Sequence, residues 1–135
     1  MSKNKPLFCF VAEYDSHIKN LASIANSLST CDCEIVFNLI KKSSDKESLL
    51  KKCYRGIPTI VYQNPRDHLI LNTKETFDAV FLGMTGPEIE AFLVDFYRMR
   101  MKNSRDSKRP IFIGGLPGVH LHAGFEGFYE RAALD

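Results

Sequence analysis

Pro6-Leu7-Phe8-Cys9-Phe10-Val11-Ala12 is an unbroken apolar run, closed by Glu13-Tyr14-Asp15-Ser16 and followed by Ile18, Leu21, Ala22, Ala25 and Leu28. A continuous run of this length suits a strand buried on both faces, as in a parallel sheet covered by helices. The spacing that follows is helical, with Asp15 or Ser16 positioned to cap the first turn. The chain therefore opens with a βα unit.

The same alternation continues outward from that unit. Glu34-Ile35-Val36-Phe37-Asn38-Leu39-Ile40 reads as a second strand. Ser44-Asp45-Lys46-Glu47 has capping-box spacing, and Leu49, Leu50 and Cys53 extend it into a short helix closed by Gly56. Ile57-Pro58-Thr59-Ile60-Val61-Tyr62 predicts a third strand, its proline near the start where a missing donor is tolerated. Residues 63–76 carry no clear pattern beyond the turn signal Asn64-Pro65 and the short apolar Leu69-Ile70-Leu71.

A fourth strand is predicted at Phe77-Asp78-Ala79-Val80-Phe81-Leu82. Thr85-Gly86-Pro87-Glu88 then starts a helix striped by Ile89, Phe92, Leu93 and Phe96 and ending near Met101. Residues 98–109 hold six basic residues and one acid and read as a solvated linker. Pro110-Ile111-Phe112-Ile113 gives a fifth strand, followed by Gly114-Gly115-Leu116-Pro117-Gly118 and a last helix marked by Phe125, Phe128, Tyr129 and Ala132. Strands alternating with helices, without hairpin signals, predict an α/β fold: a Rossmann-like open parallel sheet of about five strands with helices on both faces. The alternation stops where another strand would begin, so the 135 residues read as a single Rossmann-like domain, the N-terminal half of a larger two-domain protein.

Composition agrees with one globular domain, at 44% hydrophobic and 25% charged residues. A net charge of +2 gives no electrostatic footprint for nucleic acid, so no nucleic-acid partner is expected. No apolar run approaches the ~20 residues of a membrane span, and no signal-peptide core follows the amino terminus, which predicts a cytoplasmic protein. The four cysteines lack zinc-ligand spacing and read as reduced, small hydrophobic residues.

In an open parallel sheet, ligands bind beyond the carboxyl ends of the strands. Three loops gather there: residues 13–16, 83–86 and 114–122. Gly114, Gly115 and Gly118 allow a ligand to approach the backbone closely, although the same glycines would serve a tight turn with no ligand. Gly-Gly-Leu-Pro-Gly matches neither a Walker loop nor a dinucleotide fingerprint, and no cofactor is expected. His120 and His122 face one way in an extended segment. No carboxylate or cysteine completes a metal site there, so an acid, base or phosphate-donor role suits them better than metal, against the plain alternative of loop histidines without a ligand. Glu126 stands in the last helix's first turns, where it also suits the helix dipole. A carboxylate at Asp15 could accept a proton from a hydroxyl nucleophile or hold sugar hydroxyls, with helix capping as the competing role. The basic residues 98–109 could meet an anionic membrane surface, each worth about 1 kcal/mol there, or simply be solvated.

Asp15-Ser16-His17 after the first strand, together with Arg109-Pro110-Ile111-Phe112-Ile113-Gly114-Gly115-Leu116-Pro117-Gly118, resembles the N-terminal half of bacterial GT-B-type glycosyltransferase-like proteins linked to capsule and other surface polysaccharides. The stretch Gly124-Phe125-Glu126-Gly127-Phe128-Tyr129-Glu130-Arg131-Ala132 is similar to the helix after their Leu-Pro-Gly turn. The resemblance implies two Rossmann-like domains facing a cleft, the N-terminal one binding the acceptor and the C-terminal one most of the sugar-nucleotide donor. It implies an acceptor-side domain, inactive alone, whose full-length protein uses a sugar nucleotide and a saccharide or lipid-linked acceptor without bound metal. Asp15, His120 and Glu126 become catalytic-base candidates, and Ser16, Gly114, Gly115, Gly118 and His122 substrate-binding ones. A stand-alone flavodoxin-like nucleotide-binding or regulatory module is the alternative reading.

Overall fold

The computed structural model describes residues 5–41, 43–63, 77–102 and 110–114. Among the described residues eight elements follow in order: β1 (Leu7–Ala12), α1 (Asp15–Leu28), β2 (Glu34–Ile40), α2 (Ser44–Cys53), β3 (Thr59–Gln63), β4 (Ala79–Gly83), α3 (Gly86–Lys102) and β5 (Ile111–Gly114). The strands form one five-stranded sheet in the order β3-β2-β1-β4-β5. Every pairing is parallel, so all carboxyl ends share one edge. The expected Rossmann-like parallel sheet is what the chain forms.

That order differs from the flavodoxin-like sheet of the alternative reading. A flavodoxin-like sheet runs 2-1-3-4-5, with its third strand beside its first, whereas here β4 takes that place and β3 lies beyond β2. Both orders share the same alternation of strands and helices, so only the pairing separates them.

Side-chain alternation along the strands divides the core into two layers. On one face Phe10, Phe37 and Phe81 form a row across β2, β1 and β4, because Phe10 is the register partner of both others. Their rings stack at centroid distances of 5.3 Å to Phe37 and 4.5 Å to Phe81. Ile18, Leu21, Ala22 and Ala25 of α1 and Leu50 of α2 bury this row. The opposite face places Cys9, Val11, Val80, Leu82 and Phe112 under Ile89, Phe92, Leu93 and Phe96 of α3. Phe112 is clasped edge-on by Phe92 and Phe96. Two apolar faces explain why β1 and β4 are unbroken hydrophobic runs.

Asp78 ties the amino ends of three strands together. Its carboxylate accepts the Leu7 N–H at 2.8 Å, its own N–H donates to the Leu7 carbonyl, and its carbonyl accepts the Ile111 N–H. Asn26 clamps α1 to the end of α2, donating to the Cys53 carbonyl at 2.9 Å and accepting the Arg55 N–H at 3.0 Å.

Several local expectations shift. The cap of α1 is Tyr14, not Asp15 or Ser16, which both lie in the first turn. His17 makes this possible, since its Nδ1 accepts the Tyr14 N–H at 3.3 Å and a buried imidazole takes the part usually played by a Glu or Gln. In α2 the cap is Ser43 rather than Ser44. Glu47 is consequently not part of a capping box; it accepts a hydrogen bond from the Tyr62 hydroxyl and pairs with Lys51. The fourth strand starts at Ala79 rather than Phe77, because Asp78 is engaged in the tie just described. Helix α3 runs through the first part of the basic span to Lys102, consistent with the lack of any glycine or proline between Pro87 and Pro110. Residues 64–76, 103–109 and 115–135 lie outside the described residues, and with them the Leu69-Ile70-Leu71 segment and the last predicted helix.

All four cysteines are unpaired, and burial pushes the Cys9 thiol up to about 12, which fits the reading of a small core residue. Among the described residues no helix is long and apolar enough to cross a membrane.

Candidate functional site

Between β1 and β4 the strand order reverses. The chain leaves β1 into α1 on one face of the sheet and leaves β4 into α3 on the other, so the two loops part and leave a crevice at the carboxyl edge. Glu13 and Tyr14 form one lip, and Met84 and Thr85 the other. A backbone bond from the Glu13 N–H to the Gly83 carbonyl at 3.2 Å holds the two lips in register.

Glu13 is the first charged residue after β1, and its side chain meets four groups here. The Thr85 backbone N–H and the Tyr14 hydroxyl both donate to its carboxylate. Glu88, in the first turn of α3, and Lys46, in the first turn of α2, are close enough to act on its charge. Lys46 is held over this edge by its Nζ, which donates to the Ile40 carbonyl at 2.8 Å. The remaining carboxylate oxygen, Oε2, is shielded from solvent and has no hydrogen-bond partner. Burial is the main force raising the Glu13 carboxyl above the ordinary glutamate range, with Glu88 repulsion next; together they outweigh the two hydrogen bonds and Lys46. A raised carboxyl with one free oxygen is suited to taking up and releasing a proton. Tyr14 responds in kind: Glu13's charge and the hydrogen bond to it push the phenol up.

Behind these residues the packing is tight. His17 is buried, its ring lies 5.6 Å from that of Tyr14, and its Nδ1 is committed to the Tyr14 N–H. Gly83 closes β4 directly beneath α1, where a Cβ would come within 2.8 Å of Leu21 Cδ1 and 3.0 Å of His17 Cβ. The absence of a side chain at position 83 lets α1 seat close enough to define the crevice.

Three of the residues singled out in the sequence fall on this edge. Asp15 and Ser16 are exposed in the first turn of α1, and Gly114 ends β5 opposite Leu82. Gly114 and Asp15 therefore share the carboxyl edge, with β4 between their strands. Gly115, Gly118, His120, His122 and Glu126 lie outside the described residues. Among the described residues no group of three or more His, Cys, Asp or Glu comes together as a metal site.

Glu13 belongs to the 13–16 loop expected at this edge but is not among the residues the sequence singles out within it. Its signal was its position as the first ionisable residue after a strand buried on both faces. Asn38 and Gln63 were likewise passed over. Asn38 is fully buried within an apolar strand and donates through Nδ2 to Oε1 of Gln63, which is also buried. A polar residue inside an apolar run was the available signal.

Residues 8–135 match a family described as "Putative glycosyltransferase (DUF6716)". The chain belongs to this family. No curated protein and no solved structure matches it. The family description agrees with the glycosyltransferase-like resemblance carried by Asp15-Ser16-His17 and the Leu-Pro-Gly turn, and sugar-related substrates follow from it in general terms.

Proposed function

We propose that this chain is the acceptor-side, N-terminal Rossmann-like domain of a GT-B-type glycosyltransferase in surface polysaccharide synthesis. In this reading a separate domain of a larger protein binds the sugar-nucleotide donor. The observation that carries it is Glu13: a carboxyl raised by burial, with one free oxygen, at the point where the strand order reverses.

In the reaction, Glu13 accepts the proton of the acceptor hydroxyl as that oxygen bonds to the anomeric carbon of the donor. The bond from that carbon to the nucleotide phosphate breaks, and the nucleotide leaves with its electron pair. Thr85 and Tyr14 fix the carboxylate, and Glu88 raises its affinity for the proton. Asp15 stands on the same edge as a second base candidate, with His120 and Glu126 as further ones; Ser16, Gly114, Gly115, Gly118 and His122 would contact the saccharide or lipid-linked acceptor. The basic residues 98–109, between the last turns of α3 and the start of β5, would meet an anionic membrane surface where the acceptor is lipid-linked.

Titration calorimetry on the 135-residue chain tests the assignment. An acceptor-side domain binds methyl glycosides, and does so more tightly than it binds sugar nucleotides. Binding of nucleotides or FMN without any glycoside binding would refute it and favour a nucleotide-binding module.

A further inference from the structure

Ile57 is 98% exposed, and among the described residues no other large apolar side chain exceeds the 54% of Ile111. A partly exposed apolar side chain is ordinary on a protein surface, but one left almost wholly in water adds nothing to the core. It is also held there. Tyr54 closes α2, is itself buried, and sets its ring 5.0 Å from that of Phe37. Arg55 donates its N–H to Oδ1 of Asn26 at 3.0 Å. Gly56 lies against the Tyr54 ring, where a Cβ would come within 2.7 Å of it. Pro58 then fixes the backbone at the entry to β3. The connection from α2 to β3 is thus anchored on both sides of a projecting isoleucine.

Cations surround the projection. Helix α2 runs back against the direction of the strands, so its last turn brings Lys51 and Lys52 to the amino edge of the sheet, beside the exposed Arg55. Lys51 pairs with Glu47, whereas among the described residues Lys52 and Arg55 have no ion-pair partner. Helix α3 ends at the same edge, with Arg98 exposed in its last turns. The acids there are Asp32, paired with Lys5 at 3.2 Å, Asp78, whose carboxylate takes the Leu7 N–H, and Glu34 at the start of β2. Two of them are committed, so the edge around Ile57 stays positive.

We propose that this amino edge docks on an anionic lipid surface, Ile57 entering the headgroup region while Lys52 and Arg55 meet its phosphates. Burial of an apolar side chain and attraction of cations to anionic headgroups add in interfacial lipid binding. A protein partner would bury a wider apolar patch than one side chain. In this pose β1 spans about 20 Å to the carboxyl edge, so Glu13 stays clear of the lipid. The inference goes beyond the glycosyltransferase reading and does not depend on it.

The test is sedimentation of the full chain with vesicles of equal parts phosphatidylcholine and phosphatidylglycerol, against vesicles of phosphatidylcholine alone. Binding is expected only to the anionic vesicles and should weaken as salt is added. Because these side chains are exposed, Ile57→Ser and the double variant Lys52→Ala, Arg55→Ala should melt with the parent. Ile57→Ser should bind the anionic vesicles about ten-fold more weakly, and the double variant about twenty-fold. The chain has no tryptophan, so Ile57→Trp reports insertion through a blue shift of its emission when those vesicles are added. Unshifted emission, or undiminished binding by either folded variant, overturns the proposal and leaves any lipid contact to residues 98–109. Absence of binding to both kinds of vesicle overturns it as well. A change in the molecular mass of the free chain on Ile57→Ser would instead assign the projection to a contact between copies. Glycoside binding is read separately by calorimetry, so none of these results bears on the Glu13 assignment.

Discussion

Gly83→Ala is the most demanding test of the crevice, because one methyl group sets the distance between α1 and β4. The new Cβ would lie 2.8 Å from Leu21 Cδ1, 3.0 Å from His17 Cβ and 3.2 Å from the Val11 carbonyl oxygen. Leu21 is buried, with α1 pressed onto the sheet, so its methyl has little room to swing away. Overpacking of this kind costs about 1–3 kcal/mol. Against it, replacing a glycine in a strand gains about 0.5–1 kcal/mol in backbone entropy. The net expectation is a loss of about 1–2 kcal/mol, or a fall in Tm of about 4–8 °C for a domain of this size. Thermal unfolding followed by circular dichroism reads it directly. Leu21→Ala alone should cost about 2–5 kcal/mol, and the double variant should cost about 1 kcal/mol less than the sum, because the added methyl then occupies the space vacated by the leucine. A Gly83→Ala protein that melts higher than the parent, or a cycle additive within about 0.3 kcal/mol, would show that α1 does not bear on Gly83.

The raised carboxyl of Glu13 predicts a pH dependence of stability with a definite sign. The folded chain holds that proton more tightly than the unfolded one, so Glu13's contribution to stability is full below the ordinary value of 4.5 and is lost as pH rises through the higher folded value. Glu13→Gln should remove that loss, so the stability difference between parent and variant in chemical denaturation changes across this window; a difference that stays constant with pH contradicts the burial argument. Phe10→Leu interrupts the ring stack between Phe37 and Phe81 and should cost about 1–3 kcal/mol in urea unfolding, since each aromatic pair contributes about 0.5–1.5 kcal/mol. A loss below about 0.5 kcal/mol would mean that the row adds nothing beyond its bulk. Lys41, at φ 63°, holds a left-handed conformation after β2 while its N–H donates to the Gln63 carbonyl, so Lys41→Gly should leave stability unchanged or raise it by up to about 1 kcal/mol.

The element order was readable because both faces of β1, β2 and β4 are covered, which turns each into an apolar run that sequence pattern detects. Boundaries were less readable where a distant or unusual partner set them. Nothing in Asp15-Ser16 announces that a buried histidine two residues on will serve the Tyr14 amide, and Ser43 and Ser44 compete for one cap with equal chemistry. Strand order was invisible for a different reason. The alternation of strands and helices is the same whether the third or the fourth strand lies beside the first.

The site shows the same limit in sharper form. The carboxyl edge was located because parallel strands force all their exits to one side, and that much follows from the strand pattern. What singles out Glu13 over Asp15 is contact with Thr85 and Glu88, more than seventy residues later, and these contacts exist only because β4 pairs with β1. A carboxylate's chemistry is set by its neighbours, and here the neighbours are delivered by topology rather than by local sequence. Asp15, the first residue of the Asp15-Ser16-His17 motif, is carried outward by the first turn of α1 into solvent. Glu13 stays at the strand end, where burial and Glu88 act on it together. Position relative to the sheet edge, and not residue type, therefore separates the carboxylate proposed as the base from its neighbour two residues away.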